Sequence, residues 1–151
     1  MKLATVLLTL LVSAGSSPEA RQRKELLDNI EASIRLPAGA KPLASYVRYY
    51  APDERGNVVG VFLLPGLDEL PTGEGCEELP GHNSTEPCKS SWPKSRELGA
   101  GHRVWLSDDA QLPFPASEGG HCGIIALVYR ISDQRFLGIM CLDDQRVPTF
   151  K

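Results

Sequence analysis

Apolar side chains recur at helical spacing near the start of the chain. Four of them share one face of a helix, with charged residues around them: Leu26, Leu27, Ile30 and Ile34. Ser16 and Glu19 have the spacing of a capping box, and Pro18 suits a first helical turn. Pro37 disfavours helical backbone just before it. The pattern predicts an amphipathic helix from about 17 to 35.

Alternation with a period of two follows the helix. In residues 44–51, Val47 and Tyr49 fall on one side of an extended strand. The other side carries Tyr46, Arg48 and Tyr50. A polar turn that contains Gly56 leads into a second apolar run, 58–65. We therefore predict a β-hairpin here.

Three further apolar runs predict strands in the second half of the chain. They cover 102–107, 121–131 and 135–142, and the second is apolar enough to be buried on both faces. Tight turns join strands that run antiparallel, since parallel neighbours need a long crossover. We predict an α+β fold, in which the N-terminal amphipathic helix packs on one face of a mostly antiparallel sheet of about five strands.

Residues 65–100 show neither helical spacing nor strand alternation of apolar side chains, and they are rich in proline and glycine. A loop of this length in a small domain is unusual unless it is functional or tied down. Cys76 and Cys88 lie within it, so we predict a long loop stapled by a disulfide. Six acidic residues fall between 68 and 86 without a Lys or Arg, which is typical of a solvated acidic face.

The first residues have the pattern of a secretory signal peptide. Lys2 precedes an apolar run that ends at Val12, and small residues follow. We predict cleavage after Ala14, or alternatively after Ala20, with residues 16–151 forming a single small globular domain. The apolar run is about half the roughly 20 residues that a membrane span needs. We therefore expect a secreted or periplasmic protein without a membrane span.

Four cysteines in an exported chain predict disulfides. They are Cys76, Cys88, Cys122 and Cys141, and neither sequential pair has the short C-x(2–4)-C spacing of a structural zinc site. Pairing Cys76 with Cys88 closes a short ring that stabilises by roughly 3 kcal/mol in the chain-entropy model. Four cysteines allow three connectivities, and the sequence does not choose among them.

The pairing of Cys122 with Cys141 depends on the turn of the last hairpin. A two-residue turn sets Cys141 opposite Ala126, about 13 Å along the strand from Cys122 and too far for a disulfide. A four-residue loop pairs Tyr129 with Phe136 and sets Cys141 opposite Ile124. A bulge at Gly123 then brings the two cysteines together.

Three histidines are the only candidates for catalysis. His82, His102 and His121 flank glycines or strand starts, where they would hold a zinc ion or act as an acid–base pair. No HExxH spacing, nucleophile elbow or phosphate-binding loop accompanies them. We expect no cofactor and no metal, and name these histidines as the ligands if a metal does bind.

Aromatic and arginine side chains suggest a contact surface. The candidates are Tyr46, Arg48, Tyr50, Trp92 and Trp105. Residues of these types dominate interface hot spots. The alternative is that the Tyr and Arg residues pack beneath the helix or a loop, with their polar tips at the rim.

These features lead to two hypotheses of function. The first is a small exported protein, non-catalytic, that binds or inhibits another envelope or extracellular protein. The second is a secreted hydrolase that uses the three histidines, with or without zinc. A structural envelope component remains a third. A net charge of -3 without a basic cluster argues against nucleic acid as a partner, and Asn83 begins a formal N-glycosylation triplet.

Overall fold

The computed structural model describes residues 17–68, 92–113 and 122–142. The chain divides into two compact units, Met1–Ile34 and Arg35–Lys151. The predicted cleavage sites at Ala14 and Ala20 and the single domain over 16–151 stay predictions. Cys76, Cys88, His82, Asn83 and His121 lie outside the described residues.

The first unit contributes helix α1, Pro18–Ser33. Its cap is Ser17, whose hydroxyl accepts a hydrogen bond from the Ala20 amide at 3.2 Å. The expected capping box of Ser16 with Glu19 is therefore one residue out of register, because Pro18 occupies the first helical position. Leu27 and Ile30 on the predicted apolar face are buried.

The second unit opens with a hairpin of β1, Val47–Pro52, and β2, Asn57–Leu63. Asp53 shapes its turn by accepting hydrogen bonds from the amides of Arg55 and Asn57 at 2.9 and 2.7 Å. Gly56 has a φ of 76°, a conformation that glycine adopts without the steric cost of a side chain. Turn chemistry thus fixes the predicted hairpin.

A short helix and three more strands complete the described elements. Helix α2 spans Ser95–Leu98, and strands β3, β4 and β5 span Arg103–Trp105, Ile124–Arg130 and Arg135–Cys141. The strand order is β3-β1-β2-β4-β5. Every neighbouring pair is antiparallel except β1 and β3, which run parallel. The predicted α+β class is confirmed: an N-terminal helix with a five-stranded, mixed, mostly antiparallel sheet.

The last hairpin turns through four residues, 131–134, and pairs Tyr129 with Phe136. Of the two registers weighed from the sequence, this is the one that permits a disulfide. Leu137 is an extra residue on β5, because the next pair is Val128 with Gly138. This bulge shifts Cys141 opposite Ile125 rather than Ile124, the position that an uninterrupted ladder gives.

The two faces of the sheet follow from strand alternation. One face carries the apolar core cluster of Val47, Tyr49, Ala51, Val61, Leu63, Leu106, Leu112 and Ile124. The opposite face carries Arg48, Tyr50, Phe62, Ile125 and Leu127. Strands β1, β2 and β4 are buried almost throughout, whereas β5 is exposed at Arg135 and Leu137 and half-buried at its other residues. Within the described ranges, no helix is long and apolar enough to cross a membrane.

Candidate functional site

The structure divides the predicted binding surface between the two faces of the sheet. Tyr50 and Trp105 are paired on neighbouring strands and share a face with Arg48. Trp92 packs against the core cluster on the opposite face. The five predicted residues therefore do not form one continuous surface.

The two tyrosines of that set belong to the interior. Tyr46 and Tyr50 have no exposed area, and both rings contact Phe62, with centroids 6.5 and 5.5 Å away. The Tyr46 hydroxyl donates to the Cys122 carbonyl at 2.8 Å and accepts from the Lys41 amide at 2.9 Å. Both rings and the Tyr46 hydroxyl are thus used within the fold.

Arg48 is also buried rather than exposed at the surface. It is 8% exposed, and its guanidinium donates to the Gly101 carbonyl. The Arg48 amide donates to the His102 carbonyl at 2.9 Å, which joins β1 to the start of β3. Of the five predicted residues, only Trp92 and Trp105 retain partly exposed side chains.

Asp68 is the centre of a buried polar cluster. Its carboxylate accepts hydrogen bonds from the Ser95 hydroxyl, the Ser95 amide at 2.8 Å and the Trp92 indole at 3.1 Å. Lys94 donates to the Asp68 carbonyl at 3.1 Å and lies 5.6 Å from the centre of the Trp92 ring. Asp68 is fully buried, so this member of the acidic run does not join a solvated face. We call Asp68, Trp92, Lys94 and Ser95 the Asp68 cluster.

Tyr49 lies beside this cluster. Its hydroxyl donates to the Pro93 carbonyl at 2.7 Å. Burial raises the pKa of the Tyr49 hydroxyl far above its ordinary value, and the negative charge of Asp68 raises it further. The phenol therefore stays protonated and acts as a hydrogen-bond donor that ties β1 to the segment before α2.

Only one of the three candidate histidines falls in the described residues. His102 is exposed, and its Nδ1 lies 3.2 Å from the Gly99 carbonyl, a local contact at a turn. In the described parts of the chain, no three His, Cys, Asp or Glu side chains are arranged to hold a metal ion. Convergence of His82, His102 and His121 stays a prediction.

Cys122 and Cys141, one of the pairings that the sequence left open, form a disulfide, with the two Cα atoms 4.8 Å apart. Cys122 has a φ of 58°, in the left-handed region, and this turn of the backbone takes the place of the bulge expected at Gly123. The bulge at Leu137 has the opposite effect, because it sets Cys141 opposite Ile125, one residue farther from Cys122. The bond links the residues just before β4 to the end of β5. A disulfide is consistent with an oxidising compartment.

Strand β5 forms one edge of the sheet and is the most accessible strand with apolar side chains. Among the described residues it pairs only with β4. The large apolar side chains that stand exposed in the described part of the chain are Ile131 and Leu137, at 43% and 44%, and both belong to the β4–β5 hairpin. Apolar residues beside an open strand edge are a recurrent feature of protein contact sites.

Little in the sequence indicated the Asp68 cluster or the exposed β4–β5 hairpin. Asp68 resembles its acidic neighbours in every local property, and only its distant partners distinguish it. Leu137 sits in an apolar run, and in the sheet it is the extra residue of the bulge and is exposed. The break in period at Gly138 was the single local signal for an irregular edge strand.

Comparison with known proteins gives no relative: no family model, curated protein or solved structure matches the chain.

Proposed function

We propose that the chain is a small exported protein of the periplasm or exterior that works by association rather than catalysis. Its partner is a protein of the same compartment, and its contact surface is the β4–β5 hairpin. Export rests on the leader-like start of the sequence and on the disulfide between Cys122 and Cys141.

The main support for this proposal is the exposed β4–β5 hairpin. Ile131 stands in the turn and Leu137 on the edge strand, and each leaves more than two fifths of its surface in water. Arg130, Asp133 and Arg135 surround the turn, with Asp133 bonded to Arg130 at 2.6 Å and to Arg135 at 2.9 Å. An apolar centre with a charged rim matches the anatomy of a protein–protein interface.

The buried hydroxyl of the Asp68 cluster supports a structural rather than a catalytic role there. Ser95 donates to Asp68 and accepts from the Gly66 amide at 2.8 Å, and it has no exposed area. Both hydrogen-bonding roles of this hydroxyl serve the fold, so Ser95 does not offer a nucleophile to a substrate.

Site-specific photo-crosslinking tests the proposal. A benzophenone amino acid replaces Leu137 in the exported chain, and a matched variant carries it at Glu25, an exposed position on α1. Irradiation of the producing cells should give a discrete covalent adduct from position 137 and none from position 25. Equal adducts from both positions, or none from position 137, would contradict the proposal.

A secreted hydrolase built on His82, His102 and His121 stays the alternative. It predicts that replacing His102 with Ala abolishes a hydrolytic activity of the purified exported protein. Under the association proposal, the same variant produces the Leu137 adduct unchanged.

A further inference from the structure

We propose that the open edge of β5 pairs with the β5 edge of a second copy of this chain, in an antiparallel arrangement with a two-fold axis at Ile139. The inference rests on the proposed function, since it takes the same hairpin as the contact surface and names its occupant. The result is one sheet that continues across two subunits.

The first step is the direction of the backbone groups on β5. The Leu142 amide donates to the Ile124 carbonyl at 2.9 Å, and Cys141 stands opposite Ile125. In an antiparallel ladder, successive residues alternate between bonding their neighbour and facing away. Met140 therefore bonds toward β4, while Ile139 and Cys141 direct their N–H and C=O groups to the open edge.

The second step is that this edge is self-complementary. A two-fold axis at Ile139 pairs Ile139 with its own copy. On each side of the axis, Gly138 of one copy lies opposite Met140 of the other. A flexible Met side chain thus fills the space that Gly leaves empty, and two β-branched residues meet at the axis. Residues 136–142 carry no charged side chain, so pairing this strand with itself opposes no like charges.

The third step is the charge along the described strand. Its only charged side chain is that of Arg135, at the start of β5. The axis at Ile139 places Arg135 of the two copies at opposite ends of the paired strands, so the two positive charges do not meet. A strand that is otherwise uncharged, and whose outward groups match their own two-fold copy, therefore favours a second copy.

Sedimentation equilibrium of the disulfide-intact mature protein tests the pairing. Dimer should form with rising concentration. Ile139→Pro removes an outward N–H without removing a bond to β4, and we expect it to weaken the dimer by at least about tenfold, the scale of two lost hydrogen bonds. Ile139→Val is the matched control and should retain the dimer. A protein that stays monomeric at every concentration overturns the inference.

Cysteine crosslinking tests the register on a folded chain even if the proline variant does not fold. Ile139→Cys places two thiols across the axis, where opposed Cα atoms lie about 5.5 Å apart, within disulfide reach. Leu137→Cys places them about 13 Å apart and should not crosslink. Crosslinking of both variants, or of Leu137→Cys alone, overturns the inference.

The mass of the photo-crosslinked adduct separates this inference from the proposed function. An adduct of twice the chain mass from position 137 supports both. An adduct with a different protein, together with a monomeric purified chain, overturns the second copy and leaves the association function in place. No adduct and no dimer overturns both.

Discussion

Asp68 brings together groups that lie 24 to 27 residues away along the chain. Its fully buried carboxylate accepts hydrogen bonds from the Trp92 indole and from both donors of Ser95. A buried carboxylate is tolerated because each donor around it is oriented by the fold, and each donor in turn depends on it. At the scale of single residues, Asp68 therefore fixes the segment that leads into α2.

Replacing Asp68 with Ala should lower the free energy of unfolding by roughly 3 kcal/mol, because the buried amide and hydroxyl of Ser95 and the half-buried indole of Trp92 all lose their acceptor. Urea denaturation measures the change. Asp108→Ala, at an exposed position, is the control and should change stability by less than about 0.5 kcal/mol. Equal effects of the two substitutions would show that the Asp68 cluster does not stabilise the fold.

The raised pKa of Tyr49 predicts that the stability of the fold decreases at alkaline pH. Its pKa is raised in the folded protein by burial first and by Asp68 second. The contribution of Tyr49 to the stability of the fold is therefore complete below the ordinary tyrosine pKa of about 10. It is lost as pH rises above that value, because the unfolded chain releases a proton that the native chain retains. Denaturation from pH 7 to 11 should show a shallower loss of stability for Tyr49→Phe than for the native chain. Parallel curves for the two proteins would rule out this role.

The β4–β5 hairpin shows how a disulfide and a bulge shape an element together. Leu137 shifts the register by one residue, and the left-handed backbone at Cys122 brings its thiol to Cys141. Closing this ring stabilises by about 3 kcal/mol in the chain-entropy model. The end of the edge strand is thereby fixed, and among the described residues its outward backbone groups pair with no other strand.

Strands β2 and β4 pack closely at Gly60. A Cβ at this position would lie 2.9 Å from Cγ of the buried Leu127. Gly60→Ala should therefore destabilise by about 1–3 kcal/mol through overpacking. Leu127→Ala removes the obstructing atoms, so the double variant should be more stable than the sum of the two single effects predicts. Thermal unfolding of the four proteins measures the coupling, and strict additivity would contradict the close approach.

Elements with strong periodicity were predictable from the sequence. Helical spacing at Leu27 and Ile30 and alternation from Tyr46 to Tyr50 gave α1 and β1 within a few residues of their observed ends. The parallel pairing of β3 with β1 was not predicted, since it involves three residues that meet across a long connection. Local patterns do not encode such a contact.

The candidate site was less predictable than the fold. Tyr and Arg suit both a core rim and an interface, so composition did not reveal that Tyr46, Arg48 and Tyr50 are buried. The register of β5 was left open because the length of the hairpin turn was not known. The two registers considered differ by two residues, so they keep the same side chains on each face of the sheet. Only the assembled sheet shows which residues face its open edge.

At the scale of the whole molecule, we propose an exported protein with a disulfide-bonded sheet that works by association. The intact mass of the exported protein should correspond to a chain that begins at Gly15. Alkylation before reduction should label no thiol, and alkylation after reduction should label four, since we expect Cys76–Cys88 to join the observed Cys122–Cys141 bond. Retention of the first 14 residues, or thiols that react in the native protein, would contradict export into an oxidising compartment.

Residue-resolved amide hydrogen exchange tests the central claim most directly, because it reports on the open edge of β5 itself. In dilute protein, we predict fast exchange at Ile139 and Cys141 and slow exchange at Gly138 and Met140. Raising the protein concentration should slow exchange at Ile139 and Cys141 selectively. If these two amides are already as protected as their neighbours in the most dilute sample, or if concentration leaves them unchanged, the edge of β5 is not the surface through which this protein associates.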